Sequence, residues 1–117
     1  MNELIEFAKE FRNRHGRNPF VFLSGAISSR PDTYRDAFNE AEEVLKDLGF
    51  NCYNPTVIPS DTEWSVAMEQ TLRVLQHANC VFVLQGWEQS KGTKIEISKA
   101  RTLNIPVIYE KEFNKQI

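Results

Sequence analysis

The chain has 117 residues, 41% hydrophobic and 26% charged, a composition that fits one globular domain with a single core. A net charge of -2 lacks the basic footprint of a duplex nucleic-acid binder, and no apolar run is long enough to cross a membrane. The expectations are a cytoplasmic protein and a small-molecule partner.

In chain order, residues 1–18 read as an amphipathic N-terminal helix, with Leu4, Ala8 and Phe11 on one face. Phe20 to Leu23, after Pro19, is a continuous apolar run of the kind buried in a parallel sheet. "SGAISSRPD" breaks it. Tyr34, Phe38, Ala41, Leu45 and Leu48 then recur at helical spacing, with Asp32 expected as N-cap and Gly49 as the stop. Phe50 to Tyr53 is a second strand, and a polar loop runs to Thr62. A third helix is expected to turn Trp64, Met68, Leu72 and Leu75 inward. Cys80 to Leu84 is the third strand. A fourth helix runs from about Thr93 to Leu103, and a fourth strand, "VIY", follows Pro106. The charged tail 110–117 is expected to be partly disordered.

Strands alternating with helices predict an α/β fold: a small, doubly wound, mainly parallel four-strand sheet in the order 2-1-3-4, helices on both faces. In such sheets ligands bind beyond the carboxyl ends of the strands, at the point where the order reverses. The crevice is therefore expected between "SGAISSRPD" and "QGWEQSKGT".

Those two loops hold most of the candidate residues. Gly25 and Gly92 would let backbone approach a ligand, and the start of the fourth helix offers N–H groups to a phosphate. Ser24, Ser28, Ser29, Ser90 and Thr93 add hydroxyls, and Arg30, Arg35, Lys91 and Lys94 add positive charge. Turns are rich in such residues for conformational reasons alone. Trp87, beside Gly86, could stack on a base or cover the core. Neither a dinucleotide fingerprint nor a P-loop is present. Cys52 and Cys80 lie in strand-like runs without metal-ligand spacing and read as buried, inert thiols. Neither a metal nor a cofactor is expected. His77 suits a helix C-terminus and His15 the surface.

Glu96 has two readings. Thr93-x-x-Glu96 matches a capping box, and spacing alone favours that role. Its place in the first helical turn beside the crevice equally permits a nucleophile or a sugar contact.

"FLSGAIS", "LKDLGFNCYNP", "ANCVFVLQGWEQSKGTKIEISKA" and "LNIPVIY" together resemble the nucleoside 2-deoxyribosyltransferase-like superfamily, in particular its short phage and bacterial branch without assigned function. The resemblance spans nearly all of Phe20 to Tyr109, and its most specific element is the G-x-x-x-E of Gly92 to Glu96. It implies a site acting on the N-glycosidic bond of a small nucleotide or nucleoside. The glutamate matching Glu96 attacks or stabilises the anomeric carbon, and the serine matching Ser90 contacts a phosphate. The loop Ser24, Gly25, Ala26, Ile27 and Ser28 would hold sugar and phosphate, with Thr71 and Gly92 lining the pocket and Trp87 near the base. Superfamily members commonly form homo-oligomers, which is expected here too.

Three positions depart from the family pattern. Thr71 stands where the enzymes carry an aspartate that orients the sugar or protonates the leaving base. Phe22 replaces a strand-one tyrosine, and Asn79 an aspartate before strand three. A hydroxyl is no substitute for a carboxylic acid, and losing a general acid forfeits ~10²- to 10⁴-fold in rate. Glu69 lies about 200° round the helix from Thr71, a poor replacement, while Asp61 or Glu63 could fold in from the loop. The alternative function is accordingly a nucleotide-binding or sequestering protein without turnover.

Overall fold

The computed structural model describes residues 2–27 and 29–110, so Ser28 and the tail beyond Glu110 lie outside the described residues. Helix α1 (Asn2–His15) precedes β1 (Phe20–Ser24), α2 (Tyr34–Asp47) and β2 (Asn51–Tyr53). A short 3₁₀ turn (Pro55–Val57) leads to α3 (Trp64–Leu75) and β3 (Cys80–Val83). A second such turn (Trp87–Gln89) leads to α4 (Lys91–Thr102) and β4 (Val107–Tyr109). The sheet order is β2-β1-β3-β4 and every pairing is parallel, as expected from the alternation of strands and helices.

Period two along each strand builds two cores. Val21 and Leu23 of β1, with Cys80 and Phe82 of β3, face α1 and α2, where Leu4, Ala8, Phe38 and Leu45 are fully buried. Phe22, Val81 and Val83 face α3 and α4 and meet Leu75, Ile97 and Ala100. Each fully buried Leu or Phe contributes about 1.5–3 kcal/mol, so both faces of the sheet are anchored. Continuing the alternation past Leu23 sends Ser24 toward the α3–α4 side, at the carboxyl end of β1.

Gly49 ends α2 as expected. Its φ of 93° lets the chain turn out of the helix while the Phe50 N–H returns to the Leu45 carbonyl at 2.9 Å. The start of α2 differs from expectation. Thr33, not Asp32, is the cap residue, and no side chain caps there. The N–H groups of Thr33 and Tyr34 both bond the Arg30 carbonyl, so the preceding turn supplies the partner that Asp32 was expected to provide. Trp64 also departs from its expected inward position: it is 44% exposed, whereas Leu75 on the same helix is fully buried.

Cys80 is buried and Cys52 half-buried, both as free thiols. Burial pushes the Cys80 thiol up to about 12 and the Cys52 thiol up to about 11, the nearby Glu42 adding to the latter. Neither supplies thiolate near neutrality. Asn79 has a structural use. Its carbonyl oxygen accepts the Phe20 N–H at 2.8 Å and the Arg17 guanidinium at 3.3 Å, which ties β3 to the entry of β1. No helix among the described residues is long and apolar enough to cross a membrane.

Candidate functional site

The carboxyl end of β1 opens into a cleft of about 310 Å³ beside the start of α4. Its floor is Ser24, Gly25, Thr93 and Glu96. One wall is the start of α4, with Ser90, Lys91 and Gly92, and the opposite wall is the β1–α2 segment with Ile27, Ser29, Tyr34 and Phe38. Two further walls were not read from the sequence, apart from Thr71. The loop after β2 contributes Pro55, Ile58 and Pro59, and α3 contributes Trp64, Met68 and Thr71.

The two readings of Glu96 separate here. Helix α4 begins at Lys91, and its N-cap is Ser90, whose Oγ accepts the Thr93 N–H at 3.1 Å. Glu96 is therefore past the first turn and does not form the expected capping box. Its Oε1 instead accepts the Ser24 hydroxyl at 2.5 Å across the helix–sheet boundary. The Thr93 hydroxyl lies 3.2 Å from that of Ser24. A hydroxyl has one proton; with Ser24 donating to Glu96, Thr93 donates to Ser24, and the three form a directed chain.

Glu96 is only 7% exposed. Burial pushes its carboxyl up to about 7, opposed by the hydroxyls of Ser24 and Thr71, which favour the anion. In the structure the Thr71 hydroxyl donates to the Met68 carbonyl at 3.1 Å, within its own helix, so stabilising the anion requires it to turn toward Glu96. Near neutrality the carboxyl stands between its two protonation states.

The remaining expected residues divide. Ser24, Gly25, Ile27, Thr71, Ser90, Gly92 and Glu96 all line the cleft. Ala26 is fully buried behind the lining, and Ser28 lies outside the described residues. Trp87, expected beside the base, is elsewhere: it packs against Tyr109 at 5.5 Å, on the core between β4 and α4. The expected basic cluster also disperses. Arg35 donates to the Thr56 carbonyl at 3.1 Å, Arg30 lies in a separate cleft with Ala37, Glu40 and Glu110, and Lys94 is exposed outside the lining. Only Lys91 of the four lines the cleft, its ammonium 5.2 Å from the Trp64 ring centre.

The glycines act by packing more than by ligand approach. A Cβ on Gly92 would meet the Met68 sulfur at 3.2 Å, so the missing side chain lets α4 close on α3. A Cβ on Gly25 would meet Leu84 Cβ and Phe38 Cζ, both at 3.2 Å, and the Leu84 Cβ, fixed to its own backbone in a packed core, has little room to retreat. Gly25→Ala is expected to cost about 1–3 kcal/mol of stability by overpacking, checked by chemical denaturation; an unchanged midpoint would show that the loop yields.

The carboxylates considered as replacements for the absent acid point elsewhere. Glu69 pairs with Arg73 on the solvent side of α3. Asp61 is exposed, and Glu63 is the exposed residue before α3 that takes the Ser65 hydroxyl. None lines the cleft. Among the described residues no group of three or more His, Cys, Asp or Glu side chains could hold a metal ion.

The fold is shared with a solved 2-deoxyribosyltransferase from the psychrotolerant bacterium Bacillus psychrosaccharolyticus. The two superpose with a TM-score of 0.62 over 84% of this chain and 79% of that one, at 18% sequence identity. The resemblance to the nucleoside 2-deoxyribosyltransferase-like superfamily thus extends to its architecture. No curated protein matches the chain. The model of a family described as a domain of unknown function, DUF4406, matches residues 19–109, and the chain belongs to that family.

Proposed function

We propose that this protein cleaves the N-glycosidic bond of a small nucleoside or nucleotide, with Glu96 as the nucleophile. The observation that carries the reading is a buried carboxylate on the floor of a cleft, beyond a parallel strand, aimed by a hydroxyl of that strand. A carboxylate so placed can attack the anomeric carbon as the base departs, and water or an acceptor base then frees the sugar. The cleft volume is at the small end of ligand sites, which suits a nucleoside. The Ser90 oxygen accepts a backbone N–H, leaving its proton free for a phosphate at the start of α4. Likeness in fold to an enzyme named for deoxyribosyl transfer supports the same chemistry.

A second reading rests on Thr71. With a hydroxyl in place of the acid, the cleft would hold a nucleotide without turning it over. Incubating a panel of nucleosides, nucleotides and NAD with wild type and Glu96→Gln separates the two. Free base from wild type alone supports cleavage, intact ligand retained by both supports sequestration, and neither outcome leaves both readings without support.

We also propose a homo-oligomer, in which a neighbouring chain covers the open side of the cleft. Sedimentation at micromolar concentration is expected to give a mass above that of one chain, and a monomer would remove the idea.

A further inference from the structure

We propose that the cleft acts on N-glycosides whose base already carries a positive charge, such as a quaternised pyridine or an N-alkylated purine, because among the described residues no second carboxylic acid lines the cleft beside Glu96. The inference rests on the cleavage reading above and names its substrate class.

Breaking a bond from the anomeric carbon to a neutral base sends the electron pair onto a ring nitrogen, and an anion departs unless a proton arrives. A general acid normally supplies it. Among the described lining residues only Tyr34, Lys91 and Glu96 carry an acid-base side chain. Glu96 cannot be nucleophile and acid in the same step. Lys91 is exposed and held over Trp64, while Tyr34 is buried at the start of α2 with the Arg35 guanidinium 5.2 Å from its ring centre. Thr71 offers an alcohol, and none of Asp61, Glu63 and Glu69 lines the cleft. Tyr53, outside the lining, is held above its ordinary value by burial and by the Glu96 charge, which makes its phenol a weaker donor.

A cationic base needs no acid. The pair from the broken bond neutralises its charge, and it leaves as a neutral molecule. A Glu96 oxygen bonds the anomeric carbon; water then adds there, restores the carboxylate and gives one proton to solvent. The balance is glycoside cation plus water to free base, sugar hemiacetal and a proton.

The walls of the cleft favour such a cation. Trp64 leaves 44% of its surface exposed, and its indole already attracts the Lys91 ammonium. The Met68 sulfur lies on the same helix, one turn on, where a thioether adapts to a planar ring. Ionised Glu96 supplies the opposite charge at the floor. A flat cationic base could displace Lys91 from the indole face while its sugar reaches Glu96.

The test uses matched pairs that differ in charge and little else: nicotinamide riboside with its dihydro form, and N7-methylguanosine with guanosine. Base release by wild type near neutral pH is divided by the spontaneous rate in buffer for each. The cationic members should be accelerated at least ~10²-fold more than their neutral partners, with the acceleration lost in Glu96→Gln. Equal acceleration within both pairs would overturn the proposal and leave N-glycosidic cleavage standing. Loss of the neutral reactions alone in Tyr34→Phe would then name the phenol as the acid. No release from any of the four, or release that survives Glu96→Gln, would overturn the cleavage reading and the proposal with it.

Discussion

Glu96→Gln is expected to lower base release by roughly 10³-fold or more with the fold intact. The amide has the carboxylate's shape, and its oxygen can still accept the Ser24 hydroxyl, so the helix–sheet contact survives. What it loses is charge. A neutral amide neither attacks the anomeric carbon nor stabilises the positive charge that develops there. The wild-type rate should rise as Glu96 ionises, through a midpoint near its carboxyl value of about 7, and level off above it. Any residual rate of Glu96→Gln should lack that step. Glu96→Asp keeps the charge but withdraws it by one methylene, a displacement that typically costs about 10²-fold. Initial rates on the fastest substrate of the panel, with thermal melts of each variant, would check the three together. A Glu96→Gln protein that releases base at the wild-type rate would remove Glu96 from the chemistry.

The sheet was legible because its signals are local. Continuous apolar runs, Gly49 and the alternation of strand and helix patterns are all local properties, and together they fix order and direction. The site was legible only where it follows from the sheet. Ser24, Ser90 and Glu96 lie at the expected crevice because strand ends and helix starts place them there. The cap was misjudged because two hydroxyl residues, Ser90 and Thr93, are each spaced to start α4. Spacing alone does not choose between them; in the fold it is Ser90 that caps and accepts the Thr93 N–H. Trp64 and Met68 share a helical stripe with Leu75 and so read as core. That stripe runs from the core at Leu75 into the cleft at Thr71, Met68 and Trp64, and periodicity does not record where the sheet beneath it ends. Trp87 failed for the converse reason: an aromatic in a glycine-flanked loop fits a ligand contact as well as the lid on Tyr109 that it forms.

The buried carboxyl should also set how stability depends on pH. The Glu96 carboxyl, ordinarily near 4.5, is pushed up to about 7 in the folded chain, so between these values the folded state binds more protons than the unfolded state. The sign follows. Its contribution to stability is fully present below 4.5, falls as the pH climbs through about 7, and is flat above. The shift corresponds to at most about 3 kcal/mol, which is worth roughly 10 °C or more in the melting midpoint of a domain this size. Glu96→Gln carries no titrating proton, so the stability of the variant relative to wild type should rise by about that amount from acid to mildly alkaline pH. Urea denaturation of the two proteins across this range would measure the difference directly. A constant difference would mean that Glu96 titrates alike in the folded and unfolded chain, that water reaches it, and that the floor of the cleft is wetter than its burial indicates. A rising difference would show that the fold itself gives up stability to keep a carboxylate beneath the cleft, as expected where the charged group has a role.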